Sequence, residues 1–115
     1  MSARRPWLAL LLLWPLAAAA HAHLQQAQPA DGSTVGSAPS EFTLQFSEPA
    51  RLTALSVQKS GQSQAQPITP LPPAASARIV VPAPHLAPGV YELHYRVISA
   101  DSHVMAGSVH FTIAP

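Results

Sequence analysis

Apolar and polar residues alternate with a period of two over much of this chain. In "EFTLQFS" (41–47) Phe42, Leu44 and Phe46 alternate with Thr43, Gln45 and Ser47. In "GVYELHYRVIS" (89–99) Tyr91, Leu93, Tyr95 and Val97 alternate with Glu92, His94 and Arg96, and in "GSVHFTI" (107–113) Val109, Phe111 and Ile113 alternate with Ser108, His110 and Thr112. Successive side chains on a strand point to opposite faces, so each run predicts a half-buried antiparallel strand. "LTALSVQ" (52–58) and "ARIVV" (77–81) predict two more, and "HLQQAQ" (23–28) opens the sheet. Eleven prolines follow Ala20, and "PADGS", "PITPLPP" and "PAPHLAPG" read as turns and connectors between the runs. No segment sustains a helical period without a proline. The pattern predicts an all-β fold, a small Greek-key β-sandwich or barrel, without internal repeat or second domain.

The first twenty residues follow another grammar. Arg4 and Arg5 form a positive start, "WLALLLLWPLAAAA" supplies an apolar stretch, and small residues close it. This is the build of a cleaved secretory signal peptide over residues 1–20, leaving 21–115 as the exported mature domain. As a membrane span, Trp7 to Ala20 falls short of the ~20 residues a helix needs to cross a bilayer, and Pro15 interrupts it.

Beyond Ala20 the chain has four Lys or Arg against five Asp or Glu, a balance of −1 with histidine neutral. No basic face is available for nucleic acid. The chain contains no cysteine, so neither disulfides nor thiolate metal sites are open to it. A transition metal would have to bind through nitrogen and oxygen.

With charge this scarce, the candidates for chemistry are six histidines, Asp101 and a few glutamates. His94 and His110 occupy the polar phase of their strands, and His85 lies in a proline-rich connector; these read as surface residues. Asp101 and His103 sit in "SADSHVMAG", between the two clearest strands, where an i, i+2 spacing can aim both side chains to one side. An Asx turn with a polar neighbour is the plain alternative. The N-terminus tips that balance. A histidine that becomes residue one offers its imidazole Nδ1 and its α-amine, whose reference pKa of about 7.7–8.0 lets a metal displace its proton near neutral pH. This histidine brace, joined by the imidazole of His103 and a carboxylate oxygen of Asp101, makes a set of three nitrogens and one oxygen suited to tetragonal Cu(II).

At these residues the chain resembles the CopC-type (CopC/PcoC/YobA-like) periplasmic copper-resistance proteins. The matching pieces are "HAHLQQAQPADGS", "LQFSEPA", "LAPGVYELHYRVISADSH" and "GSVHFTI", which occur in the family's order and cover essentially the whole mature chain. The resemblance implies an immunoglobulin-like or cupredoxin-like β-sandwich that binds one Cu(II) through a terminal histidine and the Asp-x-His of the last loop, here Asp101 and His103. Family members keep a leucine three residues and a proline eight residues after that histidine; Leu24 and Pro29 both point to His21. Cleavage after Ala22 also satisfies the small-residue rule and would start the chain at His23. Glu48, in the family's "FSEPA" stretch, could accept a hydrogen bond from a ligand; a solvated strand-end charge is the plain reading.

His23 opens a rival mode, in which a free amine, two amides and the histidine at position three chelate Cu(II) without Asp101 or His103. The methionine-rich loop of well-known family members has no counterpart here, since Met105 is the only methionine after Met1; a separate thioether site for Cu(I) is not expected. The expected function is Cu(II) sequestration, resistance or delivery by a monomeric binding protein, not an enzyme. Its partners are the copper ion and, as the resemblance implies, an inner-membrane CopD-type copper transporter. Two rivals belong to other classes. Lytic polysaccharide monooxygenases also use a terminal histidine brace, but an aspartate would fill a position that oxygen activation needs open; a metal-free adhesive sandwich would carry its terminal histidine by accident.

Overall fold

The computed structural model describes residues 22–115; the leader and His21 lie outside the described residues. Seven strands follow in order: β1 (Leu24–Gln28), β2 (Ser33–Val35), β3 (Glu41–Lys59), β4 (Gln66–Pro67), β5 (Ser76–Pro82), β6 (Gly89–Ser99) and β7 (Val104–Ile113). There is no helix among the described residues. The all-β expectation holds, and the strands form one curled sheet folded over a single core.

The two strands expected over 41–47 and 52–58 are one strand, β3, of 19 residues. Its first part lies between β1 and β5, with Leu44 opposite both Ala27 and Ile79. Its second part pairs with β6 and β4, with Ser56 opposite both His94 and Pro67. β3 therefore belongs to both layers of the sandwich and makes the corner between them. "SEP" does not end the strand because all three residues are exposed at this corner while Ala50 is buried just beyond it.

A bulge corrects the phase of β3. Leu52 pairs with Val97 and Ala54 with Arg96, so Thr53 is an extra residue on the β3 side, and its hydroxyl donates to the Arg96 carbonyl at 3.2 Å. One added residue moves every later side chain to the other face. The buried apolar side chains accordingly fall on even positions up to Leu52 and on Leu55 and Val57 after it.

The alternation read from the sequence is the alternation of burial. Phe42, Leu44, Phe46, Leu93, Val97, Val109 and Phe111 are all at most 2% exposed. Aromatic contacts tie the two layers together: Phe42 from the first part of β3 lies 5.8 Å from Phe111 on β7, which stacks on Tyr91 at 5.5 Å. Phe46 meets Tyr95 of β6 edge-on at 5.7 Å. β6 and β7 form an uninterrupted antiparallel hairpin from Gly89–Ile113 to Ile98–Val104, and β2 adds to the far side of β7 in parallel.

Candidate metal centre

The hairpin turns between Ser99 and His103, where the Ser99 N–H donates to the His103 carbonyl at 2.9 Å and the Ser102 N–H to the Ser99 carbonyl at 2.9 Å. Ala100, Asp101 and Ser102 form the connection. Its last residue, Ser102, is left-handed at φ 68°, the conformation a three-residue hairpin asks for there. This closure folds the Asp-x-His spacing back on itself. His103 Nδ1 lies 2.7 Å from Asp101 Oδ2, and the His103 N–H donates to Asp101 Oδ1 at 3.3 Å. The Ser99 hydroxyl makes a short hydrogen bond to the same Oδ1.

Hydrogen bonds from Ser99 first, and then from the His103 ring, hold the Asp101 carboxyl well below the usual carboxylate range. The group is a fixed anion next to an imidazole. A ring engaged at Nδ1 by a carboxylate turns Nε2 outward, the orientation that carboxylates impose on metal-binding histidines. Ser99 was not read from the sequence. Among the described residues it is one of two buried polar ones, at 5% exposure, and its place two residues before Asp101 is the signal that could have found it.

The N-terminal side of β1 runs toward this turn. The His23 N–H donates to Ser47 Oγ at 2.9 Å, and the His23 carbonyl accepts from the Ser47 N–H at 2.8 Å. Ala22 is 1% exposed. Three residues past Ser47, about 10 Å along the strand, Ala50 pairs with Ser99 at the base of the turn. The antiparallel course of β1 on β3 thus brings the start of the described chain to the end of the molecule that carries Asp101 and His103.

Glu48 follows Ser47, is exposed, and has no ion-pair partner among the described residues. His85 is exposed in the connector before β6. His94 and His110 are set on the outer face of β6 and β7, in contact with Glu92. Among the described residues no three His, Asp or Glu side chains are gathered so as to hold a metal ion as they stand. The turn brings together one carboxylate and one imidazole, Asp101 and His103, fewer groups than a metal ion takes.

The model of the CopC domain family matches residues 24–114. Copper resistance protein C of Xanthomonas campestris pv. juglandis is 33% identical over 103 residues, covering 82% of this chain and 80% of that protein. Protein YobA of Escherichia coli strain K12 is 34% identical over 99 residues, covering 82% and 79%. Among solved structures, CopC from Methylosinus trichosporium OB3b superposes with a TM-score of 0.68 at 25% identity over 83% of this chain and 95% of that one. PcoC, a methionine-rich copper resistance protein from Escherichia coli, superposes with a TM-score of 0.56 at 26% identity over 81% and 98%.

Proposed function

The chain belongs to the CopC domain family, and from that premise we propose that it is a periplasmic Cu(II)-binding protein serving copper sequestration, resistance or delivery. Removal of residues 1–20 would free the amine of His21. That amine and the His21 imidazole, with His103 Nε2 and the Asp101 carboxylate, would hold one Cu(II) per chain.

The observation that carries this reading is the convergence of β1 and the 99–103 turn on one end of the fold, through His23 on Ser47 and Ala50 on Ser99. The residues fit the ion. Nitrogen and oxygen donors suit Cu(II), and the anionic Asp101 offsets part of the charge. While the Asp101–His103 contact persists, Asp101 acts as the partner that aims the ring; on metal binding its carboxylate can turn to the ion as the fourth donor. Glu48 would assist from outside, accepting a hydrogen bond from the terminal amine, so Glu48→Gln is expected to lower affinity modestly. An inner-membrane CopD-type transporter is the proposed partner in delivery.

Mass spectrometry of the exported protein, followed by Cu(II) titration monitored by electron paramagnetic resonance, tests the proposal. We expect a chain starting at His21 that binds one tight Cu(II) with a tetragonal spectrum and does not oxidise polysaccharide with peroxide or ascorbate. A chain that starts elsewhere and binds no Cu(II) overturns it.

A further inference from the structure

On the outer face of the β6–β7 hairpin, at the end remote from Asp101 and His103, three side chains, Glu92, His94 and His110, form a row. Glu92 stands directly opposite His110 across the strand pair, and His94 lies two residues along β6 on the same face. His94 Nε2 is 3.3 Å from Glu92 Oε1, and His110 Nε2 is 3.2 Å from Glu92 Oε2. The other ring nitrogens are also engaged: His110 Nδ1 with Asp31 Oδ1 at 3.3 Å, and His94 Nδ1 with Ser108 Oγ at 3.2 Å. Asp31 is fixed in turn, since its Oδ1 accepts the His110 N–H at 2.8 Å, which lowers its pKa.

We propose that Glu92, His94 and His110 form a second, weaker binding site for a divalent transition-metal ion, Cu(II) foremost. Two features support it. Both imidazoles are held at Nδ1 by an oxygen, which aims both Nε2 atoms at one carboxylate, the arrangement that orients histidines toward a metal. Ligand bonds of about 2.0–2.1 Å at ordinary angles separate neighbouring donors by roughly 2.8–3.4 Å, and the two Nε2–oxygen contacts fall in that span.

The two rings face different oxygens of Glu92, so the row is one carboxylate rotation short of a closed site. Glu92 has the freedom for it, with its side chain 40% exposed. Two nitrogens and one oxygen leave a position for water. Such a donor set favours Cu(II), which tops the divalent affinity order, with Zn(II) as a competitor. Seven strand residues, about 23 Å, separate Glu92 from Ser99, so this site fills independently of the terminal one.

The test is titration of the mature full-length protein with cupric chloride, followed by equilibrium dialysis and by paramagnetic broadening of the histidine ring signals in NMR spectra. A second equivalent is expected to bind more weakly than the first and to broaden the rings of His94 and His110. His94→Ala and His110→Ala should each weaken that equivalent at least tenfold and leave the first unchanged, whereas Asp101→Ala should weaken only the first. Absence of a second equivalent, or its persistence in the His94→Ala/His110→Ala double variant, overturns the proposal. Because both changes lie on an exposed face, an unchanged thermal transition will confirm that the variants remain folded.

Discussion

His103 Nδ1 stands 2.7 Å from Asp101 Oδ2, and the same carboxylate is gripped on its other oxygen by the Ser99 hydroxyl. The ring is therefore held in one orientation by the turn itself. In the proposed copper site, His103→Ala removes a nitrogen donor and should cost more Cu(II) affinity than any other change among the described residues, with a changed nitrogen hyperfine pattern. Asp101→Ala removes the group that orients the ring and balances charge, and a 10- to 100-fold loss is the size such partners usually carry. Competition titration against a chelator of known affinity checks both. Equal affinities for Asp101→Ala and the parent would remove Asp101 from the site.

Ser99 extends this argument to a residue that touches no metal. Ser99→Ala leaves the backbone closure of the turn intact, because that closure runs through the Ser99 N–H and the His103 carbonyl. It does remove the hydroxyl that fixes Asp101 Oδ1. Cu(II) affinity should fall, by less than in Asp101→Ala, and the combined Ser99→Ala/Asp101→Ala variant should lose little more than Asp101→Ala alone, since interacting residues are not additive. Additive losses would show that Ser99 acts by another route.

The fold holds a separate constraint at Gly107, which lies directly across from Tyr95. A Cβ at Gly107 would strike the Tyr95 hydroxyl and come within 2.6 Å of its Cζ. The ring covers the glycine and is itself pinned by Phe46, and burial pushes the Tyr95 phenol up in pKa. Gly107→Ala should destabilise the domain by about 1–3 kcal/mol, the usual cost of overpacking, measured by urea unfolding. In a Tyr95→Ala background the same change should cost much less.

The strands and their buried faces were legible because a period of two survives wherever one face is wet and the other dry, as in Leu93 and Val97 or Val109 and Phe111. The continuity of β3 was not. Ser47, Glu48 and Pro49 look like a break, and the phase change at Thr53 mimics the start of a new strand; both follow from partners far away in sequence. Asp101 and His103 could be paired from their spacing. The Glu92, His94 and His110 row needed the hairpin register, which sets residue 92 opposite residue 110 and cannot be seen in either strand alone.

Blocking the terminal amine is the most direct challenge to the brace. A chain that retains an initiating methionine before His21 keeps every imidazole and Asp101 but moves the amine one residue away. Tight binding should be lost, while unfolding by urea stays unchanged. Removal of the methionine by aminopeptidase should restore the Cu(II) spectrum. Undiminished affinity in the extended chain would exclude the amine as a donor.

His23 decides between the two copper modes, and its backbone gives the reason. The rival chelate uses the His23 imidazole together with the deprotonated amides of residues 22 and 23. In the folded chain the His23 N–H is already donated to Ser47 Oγ at 2.9 Å, and its carbonyl accepts from the Ser47 N–H. Handing that amide nitrogen to copper would strip a donor from the edge of the sheet, and Ala22, buried at 1% exposure, would have to leave the core. A net hydrogen bond is worth about 0.5–1.5 kcal/mol, and losing one while exposing Ala22 sets the folded protein against the chelate. His23→Ala should therefore leave Cu(II) affinity within about twofold, with the tetragonal spectrum retained. The chelate should emerge only in urea, where β1 no longer lies on β3, as a shift of the copper absorption to shorter wavelength that His23→Ala abolishes. If His23→Ala removed binding from the folded protein while His103→Ala did not, the copper would belong to the terminus alone, and Asp101 would keep only its part in the turn.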